Sequence, residues 1–534
     1  MSHPSAPNAV TCIDLTFEWP DGSPALTRLN CAFPPGRTGL IGRNGAGKST
    51  LVRLVAGQLA PTSGRVNASG AVAFLPQTIA LEAGQTVSDL LGIAVKRDAL
   101  RRIESGVVDE AFFAVLGDDW DIEERAVAAL SKFGINPQGA QGAAVLDRAV
   151  GTLSGGETVL TAIAGLMLRR APVTVLDEPT NNLDRRARTL LYDAVANWPG
   201  VLIVASHDRE LLDHMDQIAE LRNNEIRVWG GNYSEYIEQR DAEQQAAERM
   251  RRVAEGKLAQ EEQQLVQARI KLDRRVRYGK KMYANKREPK IVMGQRKRAA
   301  QESAGKHRIM HEGKIQAAKE KLNAAESAVR DDDLVRISLP ATHVPQGQDV
   351  LTLFSGGRRL YVRGPERIAL VGANGSGKTT LLEAIAGGAG CGPVEWVIPQ
   401  IGYLPQRLDI LDDASSVMDN IRASASSATE QEVRAKLARF LITGHGVSQS
   451  AGTLSGGERF RVALARILLA DEAPKLLLLD EPTNNLDLDS VEQLTRALSN
   501  YQGALLVASH DETLLGDIGV TRRWIVNRGT IAEE

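Results

Sequence analysis

The chain has 534 residues, of which 43% are hydrophobic and 24% charged, with a formal net charge of only −2. That length exceeds one hydrophobic core, so two or more domains are expected, and the ordinary composition excludes a largely disordered or fibrous chain. No run of about eighteen uncharged apolar residues occurs, which excludes a helical membrane span as a reading of the sequence.

Taken in chain order, the N-terminal MSHPSAPNAV has no basic region followed by an apolar core, so no secretory signal is expected. Cys12, Cys31 and Cys391 show no metal-ligand spacing and fit a reduced, cytoplasmic protein. The apolar TGLI then leads into GRNGAGKST at Gly42–Thr50, followed by helix-compatible LVRLVAGQL. This matches G-x-x-x-x-G-K-[ST] in its strand–loop–helix setting. Backbone amides over Gly42, Asn44, Gly45, Gly47 and Thr50 would curl around phosphate, Lys48 would reach the terminal phosphates, and the Ser49 hydroxyl would ligate Mg2+. Gln77 ends the next short strand, LPQ, as a candidate ligand for the magnesium or the attacking water. A helical stretch over about 94–132 follows. GTLSGGE at Gly151–Glu157 then offers Ser154, Gly155 and Gly156 at a helix start, a second anion-binding surface. VTVLDEP is a continuous apolar strand ending in two acids. Asp177 suits magnesium, and Glu178 would orient or deprotonate the attacking water. VLIVASH ends in His207, a candidate hydrogen-bond partner of the γ-phosphate.

The same set returns. GANGSGKTT at Gly372–Thr380 supplies Gly372, Asn374, Gly375, Gly377, Lys378, Thr379 and Thr380. Gln406, then Ser455, Gly456 and Gly457, then Asp480 with Glu481, and finally His510 follow in the same order. The aspartate-to-histidine spacing is 30 residues in both copies, 177 to 207 and 480 to 510. From the glutamine to the signature serine is 77 residues in the first copy and 49 in the second, so the first carries 28 more, placed within about 94–132 and read either as a longer surface helical hairpin or as a partner-contacting arm. Domains are therefore expected at 8–235 and 336–534, with a connector at 236–335.

The connector is basic. From Arg240 to Arg330 it holds 24 Lys+Arg and 12 Asp+Glu, a net of +12, leaving −14 for the rest of the protein. Arg269–Arg298 alone carries 13 basic and 2 acidic residues. Apolar or small residues recur at helical spacing over Ala254, Leu258, Leu265, Ala268, Leu272 and Val276, and again over Ile315, Ala318, Leu322, Ala325 and Val329. Two such stripes predict an antiparallel helical hairpin with its tip at about 277–300, interrupted at Pro289 and Gly294. Charge runs are ordinarily solvated faces. This one is confined to the tip and interleaved with Tyr278 and Tyr283, which predicts RNA contact through Tyr278, Lys280, Lys281, Tyr283, Lys286, Arg287, Lys290, Arg296, Lys297 and Arg298.

The duplicated motifs resemble those of the ATP-binding cassette superfamily. The resemblance implies an α/β protein with two P-loop NTPase cassettes packed head to tail around two ATP molecules. One site would join Lys48, Ser49, Gln77, Asp177, Glu178 and His207 to Ser455, Gly456 and Gly457. The other would join Lys378, Thr379, Gln406, Asp480, Glu481 and His510 to Ser154, Gly155 and Gly156. It further implies catalytic roles for Glu178, Glu481, His207 and His510, and Mg2+ held by Ser49, Gln77, Asp177, Thr379, Gln406 and Asp480. An aromatic before the phosphate loop often stacks on adenine in this superfamily; Phe17 fits the first cassette, and only His343 stands near the matching place in the second. Tandem cassettes, LSGGE signatures and the connector beginning GGNYSEYIEQR are similar to the ABC-F subfamily. That likeness implies a cytoplasmic, monomeric ATPase whose linker tip meets rRNA and the P-site tRNA of the ribosome. A housekeeping translation factor and an antibiotic ribosome-protection protein both fit. The alternative reading is the ATP-binding subunit of an ABC transporter.

Overall fold

The computed structural model of the chain describes residues 10–79, 84–135, 142–181, 183–284, 290–329, 340–484, 486–527 and 529–533; within these, the side chains of 279, 282–284, 290–294, 296–297, 299–304, 307–308, 328 and 340 are not described. The chain divides into two compact units, one built from residues 1–233 and 333–534 and the other spanning Ser234–Asp332.

In the first cassette the strands are β1 (Val10–Glu18), β2 (Pro24–Phe33), β3 (Arg37–Gly42), β4 (Ser63–Ala68), β5 (Val72–Leu75), β6 (Val173–Asp177), β7 (Val201–Ala205), β8 (Gln217–Arg222) and β9 (Glu225–Gly230). Strands β2-β1-β4 make an antiparallel sheet, and β5-β6-β7-β3-β8-β9 a second sheet that is parallel except at β9. Every residue of β6 and β7 is buried, as expected for uninterrupted apolar runs at the centre of a parallel sheet covered on both faces. The register pairs Asp177 with Ala205, which places the acid at the carboxyl edge of the sheet, where ligands gather in open α/β folds.

Helices α1 (Lys48–Val55), α2 (Val87–Leu91), α3 (Ala94–Glu104), α4 (Glu110–Leu116), α5 (Ile122–Lys132), α6 (Gly155–Arg169), α7 (Arg185–Ala196) and α8 (Arg209–Leu212) complete it. The segment expected as a helical hairpin contains three helices, α3 to α5. Asp109 caps α4 by accepting from the Ala111 amide, which lets the chain turn twice instead of once. Arg97, only 3% exposed, ties this segment down: its guanidinium donates to Asp147 (Nη2 to Oδ2, 2.8 Å), to the Ala143 carbonyl (3.1 Å) and to Glu123.

The second unit is helical, with α9 (Tyr233–Ala284, 52 residues) and α10 (Lys290–Ala328, 39 residues). At about 1.5 Å per residue, α9 is on the order of 78 Å long. The expected stripes are its covered face. Ala254, Leu258, Leu265, Ala268 and Leu272 on α9, and Ile315, Ala318, Leu322 and Ala325 on α10, are all partly or fully buried. Val276 departs from this and is 49% exposed, so the covered face ends before it.

The second cassette repeats the first with β10 (Asp349–Ser355), β11 (Arg358–Arg363), β12 (Arg367–Val371), β13 (Val394–Val397), β14 (Ile401–Leu404), β15 (Leu476–Asp480), β16 (Ala504–Ala508), β17 (Arg522–Asn527) and β18 (Thr530–Glu533). Its sheets run β11-β10-β13 and β14-β15-β16-β12-β17-β18, the same orders as in the first copy. Helices α11 (Lys378–Ala386), α12 (Val417–Arg422), α13 (Glu430–Ala438), α14 (Gly456–Leu468), α15 (Leu488–Ser499) and α16 (Glu512–Asp517) flank them. The cassettes meet through polar contacts. The Asn44 amide donates to Asp487 (2.8 Å), and Arg43 pairs with Asp489 (2.9 Å), Arg185 with Glu512 (3.3 Å) and Arg209 with Asp517 (3.0 Å). Among the described residues no helix is long and apolar enough to cross a membrane.

Candidate functional site

The phosphate loop of the first cassette turns on glycines at positive φ. At Gly47 (φ +99°) a Cβ would come within 2.8 Å of Leu26 Cδ2 and 3.0 Å of the Ala25 carbonyl, so only glycine lets the loop lie against β2. The loop delivers Lys48 to the start of α1, with Nζ donating to the Gly42 (2.7 Å) and Arg43 (3.1 Å) carbonyls. Lys378 does the same with Gly372 (2.7 Å) and Ala373 (3.3 Å), and its Nζ also lies 3.2 Å from His510 Nε2. Both ammonium groups are buried, and desolvation pushes their pKa down against the pull of the neighbouring carboxylates.

Ser49 Oγ donates to Asp177 Oδ1 at 3.2 Å, and Thr379 hydrogen-bonds Asp480. The other carboxylate oxygen of each pair, Asp177 Oδ2 and Asp480 Oδ2, is buried without a hydrogen-bond partner. A buried carboxylate oxygen facing no donor is costly unless a cation meets it. The donor set of hydroxyl, carboxylate and the nearby Gln77 or Gln406 amide is all oxygen, the chemistry magnesium prefers. Among the described residues no group of three or more His, Cys, Asp or Glu side chains could hold a metal alone, so phosphate oxygens would complete the shell. The residues fit Mg2+ arriving with a nucleotide.

Glu178 and Glu481 follow these aspartates in left-handed backbone, φ 49° and 44°. Their amides donate back to the Ala205 and Ala508 carbonyls at 2.8 Å, which turns each carboxylate out over the sheet edge. His207 Nε2 sits 3.3 Å from Glu178 Oε1, and His510 Nε2 sits 3.5 Å from Glu481 Oε1. Burial pushes the carboxyl of Glu178 up to about 8 and that of Glu481 up to about 7, and pushes the imidazoles down to about 3 at His207 and about 4 at His510. The histidines are therefore neutral at pH 7, able to donate one hydrogen bond without adding charge.

Two cavities follow. The first, about 570 Å³, is lined by Asn44, Gly45, Gly47, Lys48, Ser49, Thr50, Gln77, Glu178 and His207, and by Thr483, Asn484, Leu486, Val491 and Asp511 from the other cassette. The second, about 320 Å³, is lined by Asn374, Gly375, Gly377, Lys378, Thr379, Thr380, Gln406, Asp480, Glu481 and His510, with Leu183 and Arg188 from the first cassette. Each cavity is thus a cleft between cassettes, suited to a ligand with a long phosphate chain.

Three expectations do not match these walls. Phe17 is 7% exposed, lies in the core beneath β1, and is not at the cavity. Its neighbour Trp19 is, half-exposed and packed edge-on against Phe17 with centroids 5.1 Å apart. Strand alternation alone would place residues 17 and 19 on one face; they differ because β1 ends at Glu18 and the chain has left the strand at Trp19. His343 is exposed and lines neither cavity. The signature residues Ser154, Gly155, Gly156, Ser455, Gly456 and Gly457 line neither cavity either. The two serines cap their own helices in reciprocal boxes with Glu157 and Glu458. Residues that sequence reasoning missed are Trp19, Arg188, Asn484 and Asp487; aligning the two copies past the acid pairs would have exposed the Arg188–Val491 difference.

Of the linker residues, Tyr278 is 67% exposed, and Lys280, Lys281 and Arg298 are exposed. The Tyr283, Lys290, Arg296 and Lys297 side chains, and Lys286 and Arg287 entirely, lie outside the described residues.

A model of the ABC transporter family matches residues 26–181 and 356–484. Among curated proteins, the chain is 32% identical to the tylosin resistance ATP-binding protein TlrC of Streptomyces fradiae, covering 92% of this chain and 93% of that protein. It is 29% identical to the energy-dependent translational throttle protein EttA of Escherichia coli (strain K12), covering 92% and 88%. It is 30% identical to the probable ATP-binding protein YheS of Haemophilus influenzae, covering 90% and 74%. Among solved structures, the archaeal ribosome recycling factor aABCE1, in complex with the stalk protein aP1, shares the fold with a TM-score of 0.51 and 21% identity over 96% of this chain and 87% of that one. Two family matches in one chain, each covering a phosphate loop and its acid pair, and relatives aligned along some nine-tenths of its length lead to one conclusion: the chain is an ATPase of the ATP-binding cassette family and belongs to its ABC-F subfamily.

Proposed function

We propose that the protein is a cytoplasmic ATPase that acts on the ribosome, with its linker tip against RNA. The domain limits of this reading are 8–235 and 336–534 for the cassettes and 236–335 for the linker. The observation that carries it is the charge placement: the segment bracketing the end of α9 and the start of α10 is strongly basic, while the rest of the protein is acidic. A basic end on a long helical arm seeks phosphate backbones, and exposed Tyr278 offers a ring for stacking on a base. Two relatives support it by name, one a translational throttle protein and one a tylosin resistance protein.

ATP is held by Lys48 with Ser49 in one cleft and by Lys378 with Thr379 in the other. Magnesium bound with it would neutralise phosphate charge beside Asp177 and Asp480. In their ionised forms, which their raised pKa values make stronger bases, Glu178 and Glu481 accept the proton of the attacking water, and the histidines hydrogen-bond the γ-phosphate. Closure brings Ser455 of one cassette over the nucleotide on Lys48, and Ser154 over that on Lys378. Trp19 supports the adenine in the first site. Cosedimentation with ribosomes, with and without a non-hydrolysable ATP analogue, tests the reading. Nucleotide-dependent pelleting is expected; cofractionation with membranes and none with ribosomes would favour a transporter subunit instead.

A further inference from the structure

The repeat matches the two sites motif for motif, but the cassette interface differs at several positions, one of which faces the nucleotide clefts. Asp184 and Asp487 cap α7 and α15, and four residues further on stand Arg188 and Val491. Val491 lines the first cavity. Arg188 lines the second together with Lys378, Glu481 and His510, and it lines the first as well. Its side chain is 15% exposed. Its Nε donates to the Leu183 carbonyl at 3.2 Å, and one Nη donates to Asp208 Oδ2 at 3.4 Å. A guanidinium has five N–H donors, so most of its donors meet no acceptor among the described residues. A largely buried cation with spare donors, set in a cleft built for triphosphate, is positioned for an anion.

We propose that Arg188 of the first cassette serves the second nucleotide site in trans, meeting the terminal phosphate of the ATP held by Lys378, and that the first site works without such a cation. The proposal rests on Lys378, Glu481 and His510 forming one ATP site. In the step it assists, water oxygen bonds to the γ-phosphorus as the bond to the bridging oxygen breaks. The electron pair leaves with ADP, and the water proton passes to Glu481. Negative charge on the transferring group's outer oxygens is what a forked guanidinium stabilises.

A purely structural role is the competing account, since burial and, after it, the neighbouring Asp208 push the Asp511 carboxyl up and Arg188 opposes that. The test uses the full chain in two backgrounds, Glu178→Gln, where turnover reports the second site, and Glu481→Gln, where it reports the first. Arg188→Val is expected to lower kcat at least about thirtyfold in the first background, a small part of the 10³–10⁵ an arginine finger can supply, with KM nearly unchanged. In the second background the loss should stay below about threefold. Equal losses in both backgrounds, or no loss in the first, overturn the proposal. Adding Asp208→Asn to Arg188→Val removes the need for neutralisation: recovered turnover overturns the proposal, and continued loss with a wild-type melting temperature supports it. If Glu178→Gln with Glu481→Gln still hydrolyses ATP, the site assignment itself falls before Arg188 is scored.

Discussion

Glu178 and Glu481 hold left-handed backbone that a side-chain-bearing residue adopts only at a cost of order 1–3 kcal/mol. The surrounding strands impose it at both copies, through the 2.8 Å amide bonds to Ala205 and Ala508. Such a repeated strain marks a placed carboxylate. Replacing both glutamates by glutamine keeps the shape and removes the base, so turnover should fall below detection while ATP binding persists; normal hydrolysis would refute the role. Residues fixed by local chain order were legible in the sequence, because the loop lysine follows one apolar strand and the aspartate and glutamate end another. The adenine wall was not, because Phe17 and Trp19 differ only in which way the chain turns after β1. Trp19→Ala should weaken nucleotide binding at the first site by about 1–3 kcal/mol if the ring stacks on the base, read by titration in a Lys378→Ala background. Phe17→Ala should instead lower the melting temperature, as a large core side chain lost costs about 3–5 kcal/mol.

At the scale of elements, the additional helices of the first cassette were legible as an insertion, from spacing alone, but not as three helices. Their fastening was also invisible, since Arg97, Glu123 and Asp147 are far apart in sequence. The Arg97 guanidinium holds the Asp147 carboxyl down at about 2. A folded-state pKa below the unfolded one, about 3.9 for aspartate, contributes stability that is present above about pH 4 and is lost as pH falls toward 2. Asp147 is half-exposed, so solvent screens the pair and the effect is modest. Melting curves of the wild type and Asp147→Asn should therefore differ at pH 7, draw together below about pH 4 and converge only near pH 2; a constant gap would mean the pair does not carry it. The same segment leaves Val108, Phe113 and Trp120 exposed at its surface. Deleting the 28-residue excess within about 94–132 should spare ATPase activity and weaken ribosome association, and unchanged association would leave it as surface decoration.

For the whole molecule, charge is partitioned: the connector from Arg240 to Arg330 carries net +12 and the remainder −14. Both the partition and the helical stripes are readable in the sequence alone, because charge counts and 3.6-residue periods are one-dimensional properties. The interface between cassettes is not, because Asn44–Asp487 and Arg43–Asp489 join residues over 440 positions apart. The partition makes a salt-dependent prediction. Replacing Lys280, Lys281, Lys286, Arg287 and Lys290 with glutamine should leave folding and basal ATP hydrolysis nearly intact, since all five lie far in sequence from both phosphate loops. Ribosome affinity should fall, and its dependence on salt should flatten by roughly 0.7–0.9 in the log–log slope for each phosphate no longer neutralised. Tyr278→Ala and Tyr283→Ala remove rings and no charge, so each should weaken binding by about 1–3 kcal/mol at unchanged slope. Titrating ribosome binding against salt separates the two effects. A charge variant that binds with wild-type affinity and slope would mean that the basic end of the linker does not touch RNA, and that its charge serves the arm's solubility alone.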